Sequence, residues 1–430
     1  MPRTTPYAAL LAAGCLLSTG AGPPVFSGAP VVAAASATTA SATAASADPA
    51  LRPVDQAALR TAVERAAARL KVPGAVVLLR TPQGTYRVTV GTSRLGGGRA
   101  PTTSEHFRIA SNTKTMTAAL ILLLAQDGRL RLSDPVSRHV SGVPNGDHIT
   151  LAQLLRMRSG LYNYTEDPRL AASLDADPAA ARTPREMLAL AFRHPANFAP
   201  GTAYEYSNTN YALLGLVAEQ AGGAPLARQF RDRLLAPLGL TGTSLPGITD
   251  TSLPDPYAHG YMWGGTAYAL TDRPYPARLE AAARSGELPP RDYTHQNPSY
   301  ATAAGGAVST ADDLAAWIRA LVTGKVFDAA HQRQWLDSPR AEDPSAPPGG
   351  QSYGYGITHQ RFGPNAAMYY HGGELPGFNS FIGHDPDHDV TLVIWTNLTL
   401  SPGGRTTANA LLPTVLDQVY RGLSLPTDAD

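Results

Sequence analysis

The spacing of apolar residues predicts alternating helices and strands along most of the chain. Apolar residues recur every three or four positions in segments 55–70, 149–157, 183–192, 211–220, 310–322 and 406–420, which is the pattern of helices with one buried face. Short apolar or alternating runs predict strands at 75–79, 86–90, 368–370, 378–383 and 390–396. Two early and three late strands predict an α+β fold. It would have one antiparallel sheet of about five strands from both chain ends, flanked by helices, with an inserted, mainly helical region.

The segment 240–300 breaks this pattern. It is rich in proline, glycine, tyrosine and tryptophan and shows no clear period. Long irregular segments in compact chains are usually either functional or disordered. Because aromatic residues are depleted in disordered chains, we expect this segment to form a packed lid or pocket wall.

The first 50 residues do not read as part of the fold. Arg3 precedes an apolar run at 7–17, small residues follow, and an Ala/Ser/Thr tract covers 33–47, as in a secretory leader followed by a flexible spacer. We therefore assign 1–50 to leader and spacer, 51–424 to one domain and 425–430 to a tail, and we expect a secreted, extracellular protein. Residues 11–15 loosely resemble a lipoprotein cleavage box. We favour plain secretion over a lipid anchor at Cys15, because Ala12 stands where a branched aliphatic residue is preferred.

Composition excludes several classes of protein. The net charge of +1 leaves no electrostatic basis for binding nucleic acid or acidic lipid. No apolar run after the leader reaches the ~20 residues of a membrane span. Cys15 is the one cysteine, which rules out a cysteine nucleophile, a thiolate metal site or a disulfide within the domain. We expect a monomer without metal or cofactor.

The clearest chemical candidate is Ser111 with Lys114, at the start of an apolar helix over 116–125. Residues three apart on a helix share a face, so the lysine can reach the serine. A serine hydroxyl needs a base to become a nucleophile, and a buried neutral lysine can be that base. Lysine is rare here, with three among the 35 Lys+Arg. The free backbone N–H groups where a helix begins can stabilise an oxyanion. Ser-x-x-Lys also occurs by chance, and a serine at a helix start is often only a cap.

Two further short strings hold candidate site residues. Tyr206 and Asn208 lie two apart in a loop and could face one cleft, where the tyrosine could shuttle a proton and the asparagine could hold a substrate carbonyl. His371-Gly372-Gly373 follows a predicted strand, and glycines there often mark a close approach by another chain. The N–H of Glu374 could then donate to a substrate oxygen. These residues could instead be purely structural: Tyr206 could belong to the core and Asn208 to a turn. The two glycines could form a bend beside a histidine on the surface.

Taken together, the three strings resemble one family. Ser-x-x-Lys, Tyr-x-Asn and His-x-Gly, in this order, are similar to the penicillin-recognising serine hydrolases, which include class C β-lactamases and D-alanyl-D-alanine carboxypeptidases. The resemblance covers about 55–420, and segments 158–164 and 256–261 look most like the secreted carboxypeptidases. It implies a serine β-lactamase-like fold. It also implies an acyl-enzyme on Ser111, with Lys114 and Tyr206 as base and acid and the N–H groups of Ser111 and Glu374 as the oxyanion site.

The resemblance also implies a substrate class and further binding residues. Asn208, His371, Gly372 and Gly373 would position a small peptide or β-lactam-like substrate, and the favoured substrate is a cell-wall peptide ending in D-alanyl-D-alanine. The carboxypeptidases have threonine where this chain has Gly372, which leaves recognition of a terminal carboxylate open. Arg361 could supply that charge. Esterase, D-amino-acid peptidase and β-lactamase activity remain alternatives on the same site, and a penicillin-binding module without turnover is an alternative of another class.

The remaining candidates are weaker. Tyr162 and Trp263 could line the cleft or belong to the core. His384 and His388 could bind a metal, but a proline between two apolar strands favours a hairpin turn.

Overall fold

The computed structural model describes residues 48, 50–271 and 273–423. The helices in this part of the chain are α1 Gln56–Arg69, α2 Thr113–Gln126, α3 Leu151–Leu155, α4 Pro168–Ala176, α5 Pro184–Ala191, α6 Asn208–Gly222, α7 Leu226–Phe230, α8 Ala267–Thr271, α9 Ala277–Ser285, α10 Thr302–Gly305, α11 Ala311–Val322, α12 Ala329–Leu336 and α13 Thr407–Val419. The strands are β1 Gly74–Thr81, β2 Gly84–Gly91, β3 Phe107–Arg108, β4 Tyr261–Met262, β5 Arg291–Asp292, β6 Val308–Ser309, β7 Arg340–Ala341, β8 Ser352–Tyr353, β9 Thr358–Gly363, β10 Ala366–Leu375, β11 Phe378–Asp385 and β12 Val390–Thr396.

The centre of the fold is an antiparallel sheet in the order β2-β1-β12-β11-β10-β9-β8-β7. Strand β1 pairs with β2 on one side and with the last strand, β12, on the other, so that Ala75 lies opposite Val90 and Thr396. The prediction of an α+β fold with an antiparallel sheet built from both chain ends is therefore confirmed. The sheet has eight strands rather than about five, because β7, β8 and β9 extend its far edge.

Side-chain alternation in the strands produces two hydrophobic cores, one on each face of the sheet. In β1, Val76 and Leu78 pack toward α2 and α11, while Ala75, Val77 and Leu79 pack toward α1 and α13. Helix α2 is buried on almost all sides, which explains its continuous apolar sequence. The sheet is thus enclosed by helices, and α2 is held inside the protein.

The ends of several elements differ from the sequence-based prediction. Strand β10 continues through 371–373, so the two glycines lie within a strand and not after it. Helix α6 begins at Asn208, three residues earlier than predicted. The segment 240–300 is packed, with Trp263, Tyr275 and Tyr300 buried, and it contains the helix α9 that its proline-rich flanks obscured.

Most of the predicted leader and tail falls outside the described residues. Among the residues that the structure describes, no helix has the length and hydropathy needed to cross a membrane.

Candidate active site

Ser111 lies in a tight turn that leads into α2. The turn is a 3-10 helix, Ala110–Asn112, and Ala110 has a φ of +50°. A left-handed backbone is unfavourable for a residue with a Cβ, by about 1 kcal/mol or more. Surrounding bonds hold it in place: Thr113 Oγ1 donates to Ala110 O at 2.7 Å, and Asn112 Nδ2 donates to Ser380 Oγ at 2.8 Å. Ser111 itself is only partly buried, so the turn presents its hydroxyl to a ligand.

Lys114 is fully buried one helical turn after Ser111. Its Nζ lies 2.9 Å from Ser111 Oγ, 2.7 Å from Asn208 Oδ1 and 2.7 Å from Ala304 O. The amine therefore links the serine to α6 and α10. Burial lowers the pKa of Lys114 well below its usual value, because desolvation disfavours the ammonium form.

The three oxygens around Lys114 suit a neutral amine. A neutral amine has two N–H donors and one lone pair. The carbonyl oxygens of Asn208 and Ala304 can only accept, so they take the two N–H groups. The lone pair then faces the Ser111 hydroxyl, which can donate its proton to it. This is the arrangement that a general base requires.

Tyr206 is hydrogen-bonded to Ser111 from the other side. Lys114 Nζ lies 4.8 Å from the centre of the Tyr206 ring. Burial raises the pKa of the Tyr206 phenol, whereas the hydrogen bond with Ser111 acts in the opposite direction. The phenol thus stays protonated at neutral pH and can give a proton to a leaving group.

His371 lies behind Tyr206. The two ring centres are 6.4 Å apart, and His371 Nε2 is 3.0 Å from the hydroxyl of Tyr353. Burial and the nearby Lys114 lower the pKa of His371 to about 3, so it is neutral at physiological pH. Its nitrogens are occupied by Tyr353 and by Gly372 O, 2.6 Å from Nδ1. His371 is therefore placed to support Tyr206 rather than to hold a substrate directly.

Strand β10 reaches the Ser111 turn through Gly373. A Cβ at this position would lie 2.2 Å from Ile109 O, so only glycine permits the contact. Strand β9 pairs with β10 only at residues 366–370, which leaves the edge from His371 to Leu375 without a strand neighbour on that side. Gly372 and Glu374 lie along this open edge, next to the serine.

The side-chain amide of Asn208, which was predicted to hold a substrate carbonyl, is hydrogen-bonded to other residues of the protein. Asn208 is the first residue of α6, and its amide accepts from Lys114 and donates to Thr165 Oγ1 at 3.2 Å. One amide hydrogen remains for a substrate. Asn208 therefore orients the Lys114 amine even when no ligand is bound.

Tyr162, Trp263 and Arg361 each make contacts with residues other than Ser111. Tyr162 is stacked on His194 at a ring distance of 3.8 Å. Trp263 is buried in the core on the α1 and α13 face, where its indole donates to Leu288 O, so it offers no surface to a substrate. Arg361 pairs with Ala367 in the sheet and donates to Pro364 O, away from the open edge.

The histidines of the predicted hairpin form no metal site. His384 is the last but one residue of β11, and β12 begins at Val390, so the segment between them is a turn, as predicted. The described part of the chain contains no group of three or more His, Cys, Asp or Glu side chains that could hold a metal ion.

Sequence reasoning missed two residues near the site. Tyr353 lies in β8, and its ring meets Tyr206 edge-on at 6.2 Å. Glu342 is hydrogen-bonded to Tyr204 and to Gln351, and burial raises its pKa to about 7. Glu342 and Tyr353 flank a segment rich in glycine and proline, and neither residue belongs to a recognisable sequence motif. Only the fold brings them to Tyr206.

The fold and the cluster around Ser111 define a serine hydrolase of the β-lactamase and penicillin-binding type. Residues 59–415 match the Beta-lactamase family. The chain belongs to the beta-lactamase family, which confirms the resemblance seen in its motifs.

Individual relatives extend this comparison. The solved structure of a D-stereospecific amidohydrolase from Streptomyces sp. is 30% identical, with a TM-score of 0.72, and the match covers 86% of this chain and all of that one. A D-amino acid amidase from Ochrobactrum anthropi, solved with L-phenylalanine amide, is 27% identical with a TM-score of 0.69, covering 84% and 97% of the two chains. Protein flp of Staphylococcus aureus is 28% identical over 70% of this chain. The match spans about half of that relative's length, 54%.

Proposed function

We propose that this protein hydrolyses an amide or ester bond on the carboxyl side of a D-amino acid, through an acyl-enzyme on Ser111. The observation that carries the proposal is the buried Lys114 amine, 2.9 Å from the serine hydroxyl, with its two other neighbours limited to carbonyl oxygens. The D-configuration is supported by the similarity to the amidohydrolase and the amidase.

Acylation uses three groups of the chain. Ser111 Oγ attacks the substrate carbonyl carbon as its proton passes to Lys114, and the carbonyl oxygen becomes an oxyanion between the N–H groups of Ser111 and Glu374. The bond from carbon to the leaving nitrogen then breaks. Tyr206 gives its proton to that nitrogen and regains one from Lys114.

Deacylation repeats these steps with water. Water attacks the ester carbon as its proton passes to Lys114. The bond from carbon to Ser111 Oγ then breaks as Tyr206 gives its proton to the serine oxygen and regains one from Lys114. The products are a D-amino acid and an amine or alcohol. No cofactor enters this cycle.

The preferred leaving group follows from Gly372. A glycine has no hydroxyl with which to hold the carboxylate of a terminal residue, so simple amides, esters and short peptides fit the site without that contact. The second candidate is a D-alanyl-D-alanine carboxypeptidase acting on cell-wall peptides at the cell exterior. It is favoured by one observation: Arg405 lines the same cavity as Gly372, which brings a cation close to the open edge of β10.

A panel of four substrates tests the proposal. Wild type and Ser111→Ala are assayed with D-alaninamide, L-alaninamide, D-alanine methyl ester and an N-acylated peptide ending in D-alanyl-D-alanine. We expect hydrolysis of D-alaninamide and its ester, a weak response to the L-amide, and no activity in Ser111→Ala. Faster release of D-alanine from the peptide would instead favour the carboxypeptidase. Binding of a penicillin with no turnover of any substrate would indicate a non-catalytic module.

A further inference from the structure

Glu342 takes no part in the proposed cycle but is connected to the acid of that cycle, Tyr206. Glu342 directly follows β7, and its backbone N–H donates to Gln351 O at 3.2 Å. Its carboxylate accepts from Gln351 Nε2 at 3.0 Å and is hydrogen-bonded to Tyr204. Tyr204 lies two residues before Tyr206, in the loop that leads into α6. One side-chain hydrogen bond and a short piece of backbone therefore join Glu342 to Tyr206.

Further contacts hold the Tyr204 side chain in place. Arg158 Nη2 donates to a carbonyl of β7 at 2.6 Å, and its guanidinium lies 5.9 Å from the centre of the Tyr204 ring. The Tyr204 ring also packs against the Tyr353 ring, with the two centres 5.9 Å apart. Tyr353 in turn meets the Tyr206 ring edge-on. The segment after α3, the edge of the sheet and the loop before α6 thus keep Glu342 close to Tyr206.

The carboxyl of Glu342 changes its charge within the working range of most enzymes. Burial raises its pKa to about 7, although the hydrogen bonds from Gln351 and Tyr204 and the charge of Arg158 act in the opposite direction. Glu342 is therefore neutral in weak acid and negatively charged in weak base.

The negative charge acts on the Tyr206 phenol. Burial has the largest effect on the pKa of Tyr206 and raises it, and the carboxylates of Glu374 and Glu342 raise it further. The pKa of Tyr370, in β10, is raised in the same way by burial and then by Glu342. Because a nearby negative charge disfavours a phenolate, ionised Glu342 makes Tyr206 a weaker acid, and a weaker acid gives its proton more slowly.

We propose that Glu342 is a positioning residue that regulates the site through Tyr206: when its carboxyl ionises, proton transfer from Tyr206 to the leaving group becomes slower. The proposal rests on the acyl-transfer function given above and adds a regulation of the same site. Amides should be the most sensitive substrates, since their leaving nitrogen must be protonated. Esters of acidic phenols should be insensitive, since their leaving group departs as an anion.

Glu342→Gln tests the proposal, because glutamine keeps the size and an acceptor for Tyr204 but cannot ionise. The value of kcat/KM for D-alaninamide is measured from pH 5.5 to 8.5 in both proteins. The ratio of variant to wild type at each pH cancels the titration of Lys114, which both share. We expect a ratio near 1 at pH 5.5 that rises to about three- to tenfold at pH 8.5. A ratio that does not change with pH would overturn the proposal, because loss of a merely structural contact has no such dependence.

Two controls assign the effect to Tyr206. Asp343→Asn removes the next carboxylate along the chain, which is exposed and accepts from Ser345, so its ratio should stay near 1. With p-nitrophenyl acetate, Glu342→Gln should change the rate by less than about twofold at any pH. An equal rise with this ester, or with Asp343→Asn, would reject the role of Tyr206.

The link between the two residues can also be measured without turnover. Ser111→Ala is labelled with [13Cζ]tyrosine, and the Tyr206 signal is assigned by its loss on adding Tyr206→Phe. We expect its chemical shift to change with a midpoint near pH 7 and to lose this step on adding Glu342→Gln. Absence of the step, or its persistence without Glu342, would overturn the proposal. The step without any hydrolysis of D-alaninamide by wild type would confirm the link and reject the proposed function.

Discussion

Lys114 Nζ and Ser111 Oγ are 2.9 Å apart, and the lysine is fully buried while the serine remains accessible. Only a side chain that can lose its charge inside the protein can act as a base at this position. We expect Lys114→Ala to lower kcat by roughly 10³-fold, within the usual range for loss of a general base. Lys114→Arg should be as inactive as the alanine variant, since a guanidinium keeps its proton. Steady-state kinetics with D-alaninamide measure both, and an active arginine variant would contradict the role of Lys114.

The lowered pKa of Lys114 also predicts the pH dependence of activity. The base must be neutral, so kcat/KM should rise with pH through a pKa below the usual value of 10.5 for lysine. His371 cannot cause this rise of kcat/KM with pH, because its pKa is lowered to about 3. His371→Asn should reduce the rate but leave the midpoint unchanged. A shift of the midpoint by one unit or more would assign the titration to the histidine.

Tyr353 should act through His371 and Tyr206. Its hydroxyl is 3.0 Å from His371 Nε2, and its ring contacts the ring of Tyr206. Removing the hydroxyl in Tyr353→Phe should lower kcat about tenfold with little change in KM, because the substrate itself is not contacted. Tyr355→Phe is the matched control, since that ring packs under Arg156 instead. Equal kinetics for the two variants would show that Tyr353 has only a structural role.

Glu342 should make stability depend on pH. Burial raises its pKa from 4.5 to about 7, so the folded protein binds its proton more tightly than the unfolded chain does. Its contribution is therefore fully present below about pH 4.5 and is lost as the pH rises through 7. Glu342→Gln should stabilise the protein on the order of 2 kcal/mol above pH 7, with little effect at pH 4.5.

Glu186 provides a control, because its substitution should change stability at neutral pH in the opposite direction. Hydrogen bonds from Thr183 lower the pKa of Glu186, so Glu186→Gln should destabilise the protein at neutral pH and lose this effect in acid. Thermal unfolding across pH 4–8 compares the two variants. The same sign for both would contradict the assignment of Glu342.

Gly373 should tolerate no side chain. An added Cβ would lie 2.2 Å from Ile109 O, in contact with the backbone just before the Ser111 turn. Gly373→Ala should cost at least about 1–3 kcal/mol of stability and most of the activity. Gly98→Ala is the control, because nothing lies within 4 Å of its added Cβ. Similar unfolding temperatures for the two variants would show that β10 can move away from the turn.

The sequence was most informative where one local rule decided the structure. The continuous apolar run in β1 reflects burial on both faces of the sheet, and the apolar spacing in α11 reflects burial on one face. The motifs at Ser111 and Tyr206 have fixed short spacings. Strand β9 was missed because its alternation is brief and flanked by glycine and proline. Tyr353 could not be linked to His371 in advance, since that contact depends on the pairing of β8 with β9. Its position is a property of the sheet and not of any local pattern.

The most direct test of the acyl-enzyme proposal is whether Ser111 is an activated nucleophile. Wild type and Lys114→Ala are treated with a fluorophosphonate, digested and analysed by mass spectrometry, which requires no assumption about the natural substrate. We predict one phosphonyl adduct, on the peptide that contains Ser111, and at least about a hundredfold slower labelling in Lys114→Ala. A label on another residue, or equal labelling rates in the two proteins, would contradict it.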